Sequence, residues 1–121
     1  MNANPKDLVG RNKVSISTIP SVALLHLAHA MMNGAAKYGS YNWREKDVAA
    51  TVYFDAAIRH WLAWLDGEEN APDSGIHHLG HAMACGAIIL DAQSTDHMID
   101  DRPKNGVTVA TMERLNESLK N

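Results

Sequence analysis

Three segments of the chain place apolar residues at the spacing of an α-helix, and this pattern limits the possible fold more than any other feature. The first segment has the sequence VALLHLAHAMMNGA, and Leu24, Leu27, Ala28 and Met31 form its apolar stripe. The others run from about Asp47 to Leu65 and from about Gly75 to Ala92. The only candidate for extended structure is the short VSIS segment near the start. We therefore predict an all-α fold.

Residues with known preferences for helix ends give approximate boundaries. Pro20 suits the first turn of the first helix, and Gly34 is the predicted stop. Asp47 is a suitable N-cap for the second helix, and the pair Asp73 and Ser74 offers a cap for the third. A short fourth helix is predicted from about Thr108 to Leu119.

The length of 121 residues fits a single compact domain, which we assign to residues 1–121. Residues 1–17 are predicted to be a polar arm, and residues 104–121 a polar tail that carries the short helix. The net charge of −3 gives no basic surface for duplex nucleic acid or for an anionic membrane. No apolar stretch is long enough to span a bilayer, and Met1–Arg11 does not resemble a signal peptide, so we expect a cytoplasmic location.

The strongest local signal for chemistry is the cluster of His77, His78 and His81. Residues three and four apart share a helix face, so two of these imidazoles point the same way. Such a pair suits Mn, Co, Fe, Ni or Zn better than Mg, which prefers oxygen ligands. A surface histidine beside a packed core histidine explains the motif equally well. Further candidate metal ligands near this cluster are His60, Glu68 and Asp73.

The second helix carries Asp55 and Arg59 one turn apart. An exposed pair of this kind is an ordinary intrahelical ion pair of small energy. If partly buried, Arg59 could bind phosphate with two hydrogen bonds and Asp55 could orient a histidine or hold a metal. For Asp91, near the end of the third helix, a solvated position is favoured.

A loop between the first two helices, KYGSYNWR, combines cations, aromatic rings and an amide. These groups can stack a base, contact a sugar and neutralise phosphate. The alternative is a loop that its own aromatic rings hold against the domain, with both cations in solvent. The candidate residues for substrate binding are Lys37, Tyr38, Asn42, Trp43 and Arg44.

Two segments of the chain resemble each other. HLAHAMMNGA (26–35) and HLGHAMACGA (78–87) agree at seven of ten positions. A duplicated helix would produce this likeness, and so would two small-residue helices that pack closely. His26 and His29, in the first copy, are better explained as structural residues than as members of the site.

Several motifs together resemble the N-terminal domain of the phage dATP/dGTP diphosphohydrolases. They are GAAKYGSYNWR (34–44), DAAIRHWLAWLDGEE (55–69), DSGIHHLGHAMAC (73–85) and DDRP (100–103), in the family's order and spacing. The resemblance covers roughly residues 14 to 103 and implies hydrolysis of dGTP, and in some members dATP, to the monophosphate and pyrophosphate. The family is associated with phages that replace adenine by 2-aminoadenine, so host cytoplasm is the implied location.

The resemblance also implies a divalent metal cofactor (Mn, Mg or Co, with Zn as a further option) and a homo-oligomer. Related MazG-like all-α pyrophosphohydrolases bind Mg through E-x-x-E motifs, and this sequence contains none. A site that includes histidines is therefore expected instead. The metal ligands are then drawn from His60, Glu68, Asp73, His78 and His81, and the catalytic residues are Asp55, Arg59, His60 and His78. The alternative function is a non-catalytic module for nucleotide binding or assembly.

Overall fold

The computed structural model describes residues 3–120 and is mostly helical, which confirms the predicted all-α fold. Its helices are α1 (Pro5–Gly10), α2 (Ser21–Tyr38), α3 (Ala50–Leu65), α4 (His78–Ser94) and α5 (Thr108–Glu117). Short 3-10 turns occur at Ile16–Thr18 and Asn42–Arg44. The predicted arm therefore contains a short helix, and the VSIS segment leads into a 3-10 turn rather than a strand.

The first main helix, α2, continues past its predicted stop. Gly34 lies inside α2, because a helix tolerates one glycine at a cost of about 1 kcal/mol. The helix ends instead at Gly39, where φ is +90° and the backbone N–H donates to the carbonyl of Ala35. The extension places Lys37 and Tyr38 on the last turn of α2 rather than in a loop.

The start of α3 was also predicted too early. Strand β1 (Val48–Ala49) precedes the helix and pairs in parallel with β2 (Met98–Ile99). Asp47 does not cap the helix, because its carboxylate is 3.0 Å from Nδ1 of His97. The carboxylate of Asp101 instead accepts hydrogen bonds from the backbone N–H and the hydroxyl of Thr51.

The start of α4 has an unusual cap. The side chain of His77 accepts a hydrogen bond from the backbone N–H of Leu79 at 3.0 Å. The predicted cap at Asp73 and Ser74 is wrong, because both residues lie in the preceding loop.

The central helix is α4, which packs against α2 on one side and α3 on the other. At Gly80 the backbones come so close that an added Cβ would lie 2.7 Å from the carbonyl oxygen of His26. Two small core clusters stabilise this arrangement. One contains Ala30, Ile76 and Ala84, and the other contains Trp43, Val48 and Ala92. Within residues 3–120, no helix has the length and apolar character needed to cross a membrane.

Candidate active site

The site begins with three histidines from two neighbouring helices.

 

His60 comes from α3, and His78 and His81 come from α4. The rings of His60 and His81 stack with their centroids 4.6 Å apart, and the Nδ1 atoms of His60 and His78 are 2.8 Å apart. Helix packing thus brings together three of the histidines that the sequence singled out.

A chain of hydrogen bonds connects these histidines to an acid. Nε2 of the buried His78 lies 2.6 Å from Oε1 of Glu68, so the imidazole N–H donates to the carboxylate. A neutral His78 then has only Nδ1 left as an acceptor, and it accepts from Nδ1–H of His60. Glu68, His78 and His60 therefore form one hydrogen-bonded series, in which Nε2 of His60 keeps its lone pair.

Burial lowers the pKa of His60 and that of His81 below the ordinary value of 6.5. Neighbouring histidines add to the effect, since positive charge on one ring disfavours protonation of the next. The nearby Asp73 carboxylate opposes it by favouring the protonated form. Both rings are therefore neutral at neutral pH, as a general base or a metal ligand must be.

The loop before α4 contributes two further polar groups. The hydroxyl of Ser74 is 2.8 Å from Nε2 of His81 and accepts a hydrogen bond from the backbone N–H of Ile76. The backbone N–H of Ser74 donates to Oδ1 of Asp73. Sequence reasoning named Ser74 as a helix cap and not as a residue of the site, although its place between Asp73 and Gly75, whose φ is +73°, marks a tight turn.

His60, His81 and the substrate candidates Lys37 and Tyr38 from α2 share one cavity of about 430 Å³. Its polar lining consists of Asn33, Lys37, Tyr38, Asn42, Tyr53, His60, Asp73, Ser74 and His81. Asn33 was also missed, and its signal was an amide within an otherwise apolar helix. The cavity thus combines a cation, amides, a carboxylate and imidazoles in a space large enough for a small ligand.

Trp43 and Arg44 lie apart from this cavity and have a structural role. The buried Trp43 indole N–H and the Arg44 guanidinium both donate to the carboxylate of Asp91, each at 2.7 Å. Arg44 also lies 4.4 Å above the Tyr41 ring. These hydrogen bonds lower the pKa of Asp91 to about 2. Asp91 is therefore an anchor for the loop rather than the solvated helix end that was favoured.

Asp55 and Arg59 also lie away from the histidines. Both side chains are exposed, so the partly buried phosphate clamp considered from the sequence is not formed. Asp55 lines a second, mainly apolar cavity of about 710 Å³ between α3 and α4. Arg59 is near enough to disfavour protonation of His60, but it does not line the cavity that contains Lys37.

The five candidate metal ligands divide into two groups. Glu68 and His78 bond to each other, whereas His60, Asp73 and His81 line the cavity. Within residues 3–120, no three acid, histidine or cysteine side chains are gathered closely enough to hold an ion. The donor types on the cavity wall, one carboxylate and two neutral imidazoles, nevertheless match the ligands that Mn, Co and Zn accept.

His77 does not belong to this set. Its Nδ1 caps α4, its Nε2 is 3.2 Å from the carboxylate of Glu69, and its ring lies 5.1 Å from that of His26. Both ring nitrogens of His77 therefore make hydrogen bonds within the protein. A structural role of this kind was the alternative to metal binding that the sequence left open for the cluster.

Comparison with known proteins gives a single result. The family described as dATP/dGTP diphosphohydrolase, N-terminal, matches residues 3–102. Neither the curated proteins nor the solved structures include a match. The matched range contains the whole histidine cluster, the cavity and the loop anchored by Asp91. Because the match extends over most of its length, the chain belongs to the dATP/dGTP diphosphohydrolase N-terminal family.

Proposed function

We propose that this chain hydrolyses a purine deoxynucleoside triphosphate, dGTP or dATP, to the monophosphate and pyrophosphate in a metal-dependent reaction. The observation that carries the proposal is the shared cavity, in which Lys37 and Asn42 face the same space as His60, Asp73 and His81. The family to which the chain belongs supports the same reaction class. In a phage, such an enzyme would act on the purine deoxynucleotide pool.

The cavity offers suitable groups for a triphosphate. Lys37 is the cation on its wall, because Arg44 is engaged with Asp91 and Arg59 lies outside. A lysine ammonium neutralises phosphate charge as a compact donor of hydrogen bonds. Asn33, Asn42 and Tyr38 supply further donors and acceptors for the sugar and base.

His60 is the residue best placed to act as general base. Water attacks the α-phosphorus, a new P–O bond forms, and the bond to the β-phosphate oxygen breaks as pyrophosphate leaves. The proton of the attacking water passes to Nε2 of His60. The positive charge that develops on His60 is stabilised through His78 by the carboxylate of Glu68.

Asp73 and His81 are the residues that would hold the divalent metal, because the one free lone pair of His60, on Nε2, accepts the proton of the attacking water and Glu68 and His78 are bonded to each other. When bound, the metal would polarise phosphate oxygens and acidify water. Ser74 then orients His81 through its hydroxyl, as groups behind a ligand commonly do.

The test is pyrophosphate release from each dNTP and NTP, with Mg, Mn, Co or Zn and with EDTA. Metal-dependent formation of dGMP or dAMP would support the proposal. Well-folded protein that releases no pyrophosphate from any nucleotide would contradict it. His60→Gln is the matched variant, and it should lose turnover while nucleotide binding persists.

The alternative is a module that binds a nucleotide without hydrolysing it. One observation favours it. Among the described residues, the candidate ligands Glu68 and His78 are hydrogen-bonded to each other, and no three candidate ligands surround a common point. Binding of dGTP by calorimetry, without pyrophosphate release in any metal, would establish this second function.

A further inference from the structure

A mainly apolar cavity of about 710 Å³ lies between α3 and α4, and we call it the α3–α4 cavity. Apolar and aromatic side chains form most of its wall, among them Tyr53, Phe54, Cys85, Ile89, Met98 and Pro103. Phe54 is 62% exposed, so the cavity is open to solvent. Soluble proteins rarely leave a large apolar surface of this kind uncovered.

Helix α5 carries an apolar stripe that is also exposed. Val109, Met112 and Leu115 follow one another at intervals of three residues, which places them on one side of the helix. They are 64%, 53% and 54% exposed, respectively. A helix of ten residues is only marginally stable in water without packing. These three residues, which we call the α5 stripe, therefore need an apolar surface to pack against.

The cavity and α5 are close together along the chain. Pro103 lines the cavity, and α5 begins at Thr108. The backbone between these two residues spans at most roughly 17 Å, so α5 stays near the cavity. The helix is about 15 Å long, and the α4 wall of the cavity, from Cys85 to Gln93, is about 12 Å long. The helix thus matches the cavity in length as well as in apolar character.

The connection between Pro103 and α5 contains a position suited to a hinge. Lys104 has a φ of +43°, in the left-handed region that residues other than glycine rarely adopt. After it, Oδ1 of Asn105 accepts hydrogen bonds from the backbone N–H groups of Val107 and Thr108, at 2.9 and 3.2 Å. This cap joins Asn105 to the start of α5. A change of backbone angles at Lys104 therefore moves α5 as a unit, with the cap intact.

We propose that α5 is a strap that folds back over the α3–α4 cavity of its own chain and packs the α5 stripe against the cavity wall. The short connection favours this helix over the same helix of another copy. It gives a local concentration on the order of millimolar, which at micromolar protein favours the attached helix about a thousandfold. The family match ends at residue 102, so the strap lies beyond the matched region.

Closure of the strap bears on the candidate site, because the two cavities share part of their walls. Tyr53 and Cys85 line both the α3–α4 cavity and the cavity that contains Lys37. A helix packed on one side of these two side chains limits their movement and helps to hold the shape of the other cavity. The strap itself requires neither nucleotide nor turnover, so its test is separate from that of the proposed hydrolysis.

The test is a disulfide crosslink to Cys85, which lines the cavity and is the one cysteine of the chain. The variants Met112→Cys and Leu115→Cys each place a second thiol on the α5 stripe. Arg114→Cys is the matched control, because Arg114 lies between them in sequence but on the opposite side of the helix. A disulfide forms only where the two Cβ atoms come within about 3.5–4.5 Å. Each full-length variant is oxidised with diamide at micromolar concentration, and its free thiols and its mass are then measured under denaturing conditions without reductant.

We expect the stripe variants to lose their free thiols at unchanged monomer mass, and much faster than Arg114→Cys. Adding Cys85→Ser should abolish the crosslink within the chain. Equal rates for the stripe variants and the control would show that α5 moves without docking, and would overturn the proposal. A product of twice the chain mass would place α5 on another copy and overturn closure within the chain. Folded stripe variants that form no crosslink, with their helices verified by far-UV circular dichroism, would also overturn it.

Discussion

Nδ1 of His60 and Nδ1 of His78 face each other at 2.8 Å, a separation that requires one hydrogen between them. Since Nε2 of His78 donates to Glu68, the order of donors runs from His60 through His78 to the acid. One buried ring thus fixes the tautomer of a second ring that lines the cavity.

His78→Ala should reduce stability as well as turnover. His78 is 5% exposed and hydrogen-bonded on both sides. Its removal leaves His60 and Glu68 without a partner, which costs about 1–3 kcal/mol. Urea unfolding measures this loss, and His29→Ala, at an exposed position on α2, is the control. A His78→Ala variant as stable as wild type and fully active would refute both roles.

Stability should fall as the pH is lowered through the titration range of His60 and His81, which are partly buried. Burial lowers the folded-state pKa of His60 and His81 below 6.5, so the unfolded chain binds more protons as the pH drops. Their contribution is complete above 6.5 and declines from there toward the lowered folded values. Thermal unfolding followed from neutral to mildly acidic pH should show a shallower decline for the double variant His60→Gln/His81→Gln. Parallel curves for the two proteins would contradict this assignment.

Lys37→Met should weaken catalysis, because it removes the cation from the cavity wall. A hydrogen bond to a charged group contributes about 1.5–3 kcal/mol, so kcat/KM should drop roughly ten- to a hundredfold. Lys46→Met is the control, since Lys46 is exposed on the neighbouring loop and does not line the cavity. Equal pyrophosphate release by both variants would remove Lys37 from the site.

Two glycines of α4 should respond in opposite directions to alanine. Gly80→Ala forces a methyl group against the backbone of His26 and should cost about 1–3 kcal/mol. Gly86→Ala meets no atom within 4 Å and should stabilise the helix by about 0.5–1 kcal/mol. Chemical denaturation of both variants beside the wild type compares the signs. A stabilising Gly80→Ala would show that the helices are not held at this separation.

The sequence predicted the helices well because their apolar spacing is a local property. It predicted the caps poorly, since Asp47, Asp73 and Ser74 are good caps by residue type but bond elsewhere. Asp101 caps α3 from a position 50 residues further along the chain, which local sequence does not reveal. His77 caps α4, although histidine is not a residue type preferred at this position.

Residue type was an equally incomplete guide to the members of the candidate site. Lys37, Asn42, His60, Asp73 and His81 were selected by residue type and are found on one cavity. Trp43, Arg44 and Asp55 were selected on equal grounds and lie elsewhere. Chemistry in the sequence identifies what a side chain can do, whereas tertiary packing decides which side chains meet.

The cap that Asp101 provides for α3 sets an order of events during synthesis. Thr51 leaves the ribosome 50 residues before the carboxylate that caps its helix. The other contacts of this region, Trp43 with Asp91, Asp47 with His97 and β1 with β2, have similar separations. A nascent chain that stops before Asp91, within α4, therefore lacks all of them. The helix that carries His60 reaches its final form only when the last part of the matched family region has been translated.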